Sequence, residues 1–300
     1  LAAFTTTEMK GLTETQVNAL SDEQLDCLSA TQLAALTTKG IDGLSADDIA
    51  GMTMTQIAGL TSTEFTSMTT TQIAALTSTQ IAALTATQIK GFTASSIGAL
   101  TEDQIAAMTS TQMAALSTAQ IKGLSTTSIA VLTSTQIASL TSTQISVMTA
   151  TQIASLTASQ IDDLTATQIK GLTTAACANL TTEQIDALSS AQIGALTTKQ
   201  VSSLTSTQVA ALDVSQIEAL TSTQIGALTT TTVAALAETQ FAALSATQIK
   251  GLTSTQIAAL TIEEIELLSV TQLTALTAGQ IKAFTADEVD ALSNAQIASF

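Results

Sequence analysis

Leu132 to Ile145 read LTSTQIASLTSTQI, and close variants of this octad fill the 300-residue chain from end to end. A repeat of eight suits neither a continuous helix nor a straight strand. Eight residues at about 100° each turn through roughly 800°, so an apolar stripe drifts by about 80° per octad and circles the helix. In a strand, apolar spacings of three and five put successive residues on opposite faces. A helix broken and restarted every eight residues does fit. Thr133 becomes the N-cap, with Ser134, Thr135 and Gln136 as the first turn. Thr-x-x-Gln is then a capping box, and Ile137 falls where it can staple onto Leu132 across the cap.

The register holds without insertion or deletion. Counting position as residue number modulo eight, position 1 (Leu1, Met9, Val17 through Ile297) is apolar in all 38 octads, and position 4 is Leu, Phe or Met in all 38. All six Phe residues lie in these two columns, which makes them core filler. Position 5 is Ser or Thr in 35 of 37 cases, with Asp213 and Ala237 the exceptions, and position 8 is Gln or Glu in 31 of 37. Asp213 is a strong N-cap and a poor strand residue. Of the 24 acidic residues, 15 sit in the first turn of these short helices, where they offset the positive end of the helix dipole.

A second period overlies the first. Lys10, Asp26, Asp42, Lys90, Lys122, Lys170, Asp186, Glu218, Lys250, Glu266 and Lys282 share one sixteen-residue phase at position 2, and Gly11, Gly43, Gly59, Gly91, Gly123, Gly171 and Gly251 share one at position 3. We therefore expect an all-α fold, an α-solenoid of very short helices with two octads (16 residues) per coil and about nineteen coils. The alternative is a β-solenoid with 16-residue rungs and Thr-x-Thr ladders, opposed by the abundant Ala and Gln and by the first-turn acids. Unbroken register makes residues 1–300 a single array. The chain starts at Leu1 and is in mid-repeat at both ends, so it is expected to be a fragment of a longer array or a processed product.

Composition removes most chemistry. Trp, Tyr, His, Pro and Arg are absent, and the net charge is −16. Nucleic acid and anionic membrane both call for cationic side chains, so neither is an expected partner. No apolar run nears the ~18 residues of a membrane span. Without His, a nucleophile has only carboxylates or Lys as its base, and no such pair departs from the repeat pattern. We expect no catalytic, cofactor-binding or metal site. Ser45-Ala46-Asp47-Asp48 and Asp162-Asp163 lack the alternating carboxylates and central Gly of a calcium loop. Cys27 and Cys177 read as two small buried thiols, too far apart in a linear array for a disulfide. The charged position-2 row reads as a solubilising ionic stripe along one edge, and the first-turn Ser and Thr hydroxyls outside the cap are free for glycans.

The LTxTQIxxL theme, carried by the whole chain, resembles Thr/Gln-rich octapeptide tandem-repeat regions of large bacterial surface or secreted proteins of the adhesin type. The resemblance implies an extracellular, cell-surface structural role as stalk, spacer or filament and sheath subunit. The expected partner is another copy of the chain, head to tail or laterally, or covalent continuation of the array. The competing expectation is an extended binding surface that presents Thr/Ser rows to ice, glycan or protein.

Overall fold

The computed structural model describes residues 3–298, and among these it contains helices and no strand. Among the described residues there are thirty-seven helices, α1 to α37 in chain order, from α1 (Thr6–Lys10) to α37 (Asn294–Ile297), each four to six residues long. The β-solenoid alternative is thereby excluded for the described residues.

Each octad builds its helix as its local chemistry dictates. In α17 (Ser134–Ser139), the Thr133 amide donates to Gln136 Oε1 at 2.8 Å, and the Gln136 amide donates to Thr133 Oγ1 at 3.3 Å. The helix stops without glycine. Leu140 leaves at φ −67°, ψ 134°, the next cap Thr141 stands at φ −76°, ψ 157°, and the helix restarts. No residue among those described has positive φ. Asp213 caps α27 (Val214–Ala219) as expected, accepting from the Gln216 amide at 2.7 Å. Ala237 has no side chain to accept, so its helix keeps only the reverse bond, from the Ala237 amide to Gln240 Oε1 at 2.7 Å.

The contacts fall into two compact units, Leu1–Ser155 and Leu156–Phe300. In both, a helix packs against its third neighbour along the chain. In the first unit α17 lies on α14 (Ser110–Ala115), and in the second α31 (Ala246–Gly251) lies on α28 (Ser222–Ala227). A further link reaches the fourth neighbour. Gln136 Nε2 donates to the carbonyls of Ile105 and Met108 at 2.8 and 2.7 Å, at the end of α13 (Glu102–Ala107). Gln248 does the same to Ile217 and Leu220 at 2.8 and 2.7 Å. One turn of the coil therefore takes between three and four octads.

This corrects the expected coil of two octads, and with it the count of nineteen coils. Two facing stubs would enclose apolar side chains on one side only. More than three helices around an axis surround them, and Ile residues such as Ile137 and Ile249 reach 0% exposure while Leu140 and Leu252 keep 3%. Phe65 and Phe92 meet inside the first unit with ring centroids 5.4 Å apart. The sixteen-residue alternation has another cause. A step of three octads is odd, so helices packed as third neighbours belong to opposite phases. Gly91 lets its helix close on the Ser62 backbone carbonyl, and Gly251 on that of Ser222; an added Cβ would collide with either carbonyl. The period reports which faces meet, not the length of a turn.

One smaller expectation changes as well. Cys27 is exposed: it is the C-cap of α3 (Asp22–Asp26), at position 3 and outside the two core columns. Cys177 is buried as expected. The eleven charged position-2 residues of one phase do not meet one another through third-neighbour packing, since third neighbours carry the opposite phase. Asp186, Glu218, Lys250 and Lys282 recur at fourth neighbours, all exposed.

Candidate interaction surface

The glutamine column links local structure to tertiary structure. The last carbonyls of any helix lack partners within it. Here they are satisfied by an amide nitrogen from four octads later, while the same amide's oxygen completes a capping box on its own helix. The buried glutamines, such as Gln136 at 2% exposure, thus serve as cap and as cross-link between turns. Among the described residues no enclosed side-chain nitrogen or oxygen lacks a hydrogen-bond partner. The second role is invisible to sequence reasoning, since it joins residues 28 and 31 positions apart.

The N-cap, first and second helical positions form the outer face. Thr133, Ser134 and Thr135 are exposed. Neighbouring turns meet through these hydroxyls. Ser190 Oγ and Ser215 Oγ lie 3.1 Å apart, Ser206 donates to the Thr231 carbonyl at 3.4 Å, and Ser254 to that of Gly279 at 3.3 Å. The result is a nearly uncharged lattice of hydroxyls that can donate and accept, suited to hydrogen-bonding and unsuited to attracting ions from a distance.

A cleft of about 220 Å³ in the first unit brings Asp22, Asp26, Asp47 and Asp48 around an apolar floor of Leu25 and Met52. Asp48 is already engaged as a cap partner, with the Ser45 amide donating to it at 2.7 Å. Among the described residues no three His, Cys, Asp or Glu side chains are grouped to hold a metal ion. The Asp162-Asp163 pair lies at a helix end, Asp163 being the C-cap of α20 (Ala158–Asp162), and the Asp162 carbonyl accepts from Gln192 at 3.1 Å. Burial pushes the Cys177 thiol up to about 12, so it stays protonated and unreactive at neutral pH. Lys90, Lys122, Lys170 and Lys250 are exposed and belong to the solvated face. No helix is long and apolar enough to cross a membrane among the described residues.

Comparison with known families agrees with this repeat geometry. Residues 107–142, 167–198, 177–214 and 198–230 each match the ALTTAQ repeat family. No curated protein sequence matches the chain. With these matches set in tandem between residues 107 and 230, the chain is a repeat-region protein whose unit is a capped helical stub.

Proposed function

We propose that this chain is a non-enzymatic structural protein, an extracellular stalk, spacer or filament and sheath subunit. The observation that carries the reading is the glutamine cross-link, repeated turn after turn, which ties each helix only to near neighbours along the array. Such a design grows by adding octads without altering those in place. The extracellular setting follows from the resemblance to bacterial surface repeats and from the hydroxyl-rich, weakly charged exterior. Further octads or a second copy are the proposed partners of the uncovered core columns. Val289 and Ile297 are 45% and 49% exposed, while Ile137 in the same column is 0% exposed.

Electron microscopy of chains carrying inserted multiples of three octads tests the spacer. Particle length rising in proportion to the insertion is expected; growth in all dimensions would overturn the reading. A second reading, a binding surface for ice, glycan or protein, draws on the hydroxyl contacts that run between turns, as at Ser190 and Ser215. An ice-recrystallisation assay and a glycan array test it, and inactivity in both would leave the spacer alone.

A further inference from the structure

The bonds that join one turn to the next are present throughout the interior and left half-made in the first and last turns. Gln56 donates to the carbonyls of Leu25 and Leu28 at 3.0 and 3.1 Å, and Gln32 to that of Phe4 at 2.9 Å. Gln16 and Gln24 keep only the local half of this work. Their Oε1 atoms accept from the Thr13 and Ser21 amides at 2.9 and 3.0 Å, while among the described residues their amide nitrogens donate to nothing. Both side chains are exposed, whereas the interior glutamines are buried. Leu12 and Leu20 beside them are half-buried, and Phe4 is 39% exposed.

The last turns show the converse. Gln296 donates to the carbonyls of Ile265 and Leu268 at 3.5 and 2.8 Å. Among the described residues no glutamine reaches the later pairs, Leu273 with Leu276, Ile281 with Phe284, and Val289 with Leu292. The core columns open at the same place: Ile281 and Phe284 are half-buried, and Val289 and Ile297 are nearly half exposed.

We infer that the first turns of one copy dock on the last turns of a second copy, through the same contacts that join turns within the chain. One face offers amide N–H groups and the other offers carbonyl oxygens, so like faces cannot supply the link to each other and unlike faces can. The contact is therefore heterologous, head to tail. Donors and acceptors share the octad spacing. A register that sets Gln16 against Val289 and Leu292 also sets Gln24 against Ile297, and Glu8 against Ile281 and Phe284. Glu8 brings no N–H when ionised, so one link of the three is missing. The same step takes the open core columns of both copies out of water. Glu14, Asp22 and Glu23 on one face and Asp287, Glu288 and Asp290 on the other outnumber Lys10 and Lys282, so salt strengthens the docking by screening like charges. This docking rests on the reading of the chain as a stacking array and names the face of a second copy that meets its uncovered columns. A spacer needs no self-association, so the insertion experiment stands or falls separately.

Sedimentation velocity of the full chain over a range of concentrations, in ~1 M salt to screen the added charges, tests the docking. The unaltered chain should pass from monomer to larger species as concentration rises. Q16E/Q24E keeps both caps, as Glu8 does in accepting from the Thr5 amide at 2.7 Å, and removes the two donors. Its association should be weaker by about tenfold or more. E8Q supplies the third donor and should tighten association about fivefold. V289D/I297D should block the opposite face. Each double variant keeps one working face, so each alone should stay monomeric, and an equimolar mixture should give dimers and nothing larger. A chain monomeric at every concentration, a Q16E/Q24E variant that associates as the unaltered chain does, or a mixture of folded variants that stays monomeric would overturn the assignment. Circular dichroism establishes that the variants are folded. Should V289D/I297D lose helix, Q16E/Q24E and E8Q still decide, because their side chains are exposed in the single chain.

Discussion

The middle of the chain and its last fifth use the same octad to different effect. Around residues 133–148 every helix has a glutamine at its third position and a fully enclosed Ile137. Around residues 261–297 two of those glutamines are glutamates, and the same core column ends in Val289 and Ile297, both nearly half exposed. Both regions start their helices equally well, because Thr261 and Thr285 cap as Thr133 does. Starting a helix is thus a local property that either side chain supports. Binding one turn to the next draws, in the middle, on an N–H donor and a covering neighbour as well.

The largest expected effect breaks the comparison at the core. Ile137→Ala should cost about 2–5 kcal/mol, the range for emptying a well-packed site. Ile297→Ala should cost less than about 1 kcal/mol, since half of its surface already meets water. Thermal or urea unfolding of the two variants checks this; equal losses would mean that the end column is covered in solution, by a second copy or otherwise. The next effect moves the C-terminal chemistry into the middle. Gln136→Glu retains the cap and removes two donors to Ile105 and Met108, for an expected loss of about 1–3 kcal/mol at neutral pH. Gln136→Ala removes the cap bond as well and should lose more. If both variants unfold with the parent chain, the cross-link contributes nothing and the comparison fails.

The part of the fold visible in the sequence was its local half. Thr133, Gln136 and Leu140 act on neighbours within four residues, so spacing alone revealed helix starts, stops and the core columns. The number of octads per turn was hidden because it depends on how stubs pack around an axis. The sixteen-residue alternation at Gly91 and Gly251 pointed to a two-octad coil, although an odd step of three produces the same alternation. Cys27 stands at position 3, outside the two core columns, and its small apolar side chain alone does not enclose it. The outer hydroxyl face followed directly from the cap positions, whereas the reach of Gln136 to Ile105 spans 31 residues and leaves no local trace.

Smaller effects test the local half on its own. Asp213 receives the Gln216 amide and the Ser215 hydroxyl, and these bonds, the backbone one foremost, hold its carboxyl below the usual aspartate range. The folded state therefore binds this proton less readily than the unfolded chain. The stability Asp213 adds is present above the unfolded value of about 3.9 and disappears as pH falls through the lower folded value. Asp213→Ala should cost about 1 kcal/mol at neutral pH, as N-caps usually do, and progressively less in acid. Urea unfolding of this variant and the parent chain across a pH series checks the trend, and a cost that persists undiminished in acid would mean that the cap bond is not what Asp213 contributes.

The smallest effect is a gain. Ala237 is the cap position where no side chain accepts, yet the Ala237 amide still donates to Gln240 and Phe241 is fully enclosed. The backbone is already in the cap conformation, at φ −66° and ψ 153°, so a hydroxyl can be added without rearrangement. Ala237→Thr should then stabilise by about 0.5–1 kcal/mol through the bond to the Gln240 amide. A melting point that does not rise, with the helix otherwise unchanged, would mean that stacking of turns and not capping sets stability at that octad. The local half of the octad would then matter for where helices begin and little for how firmly they hold.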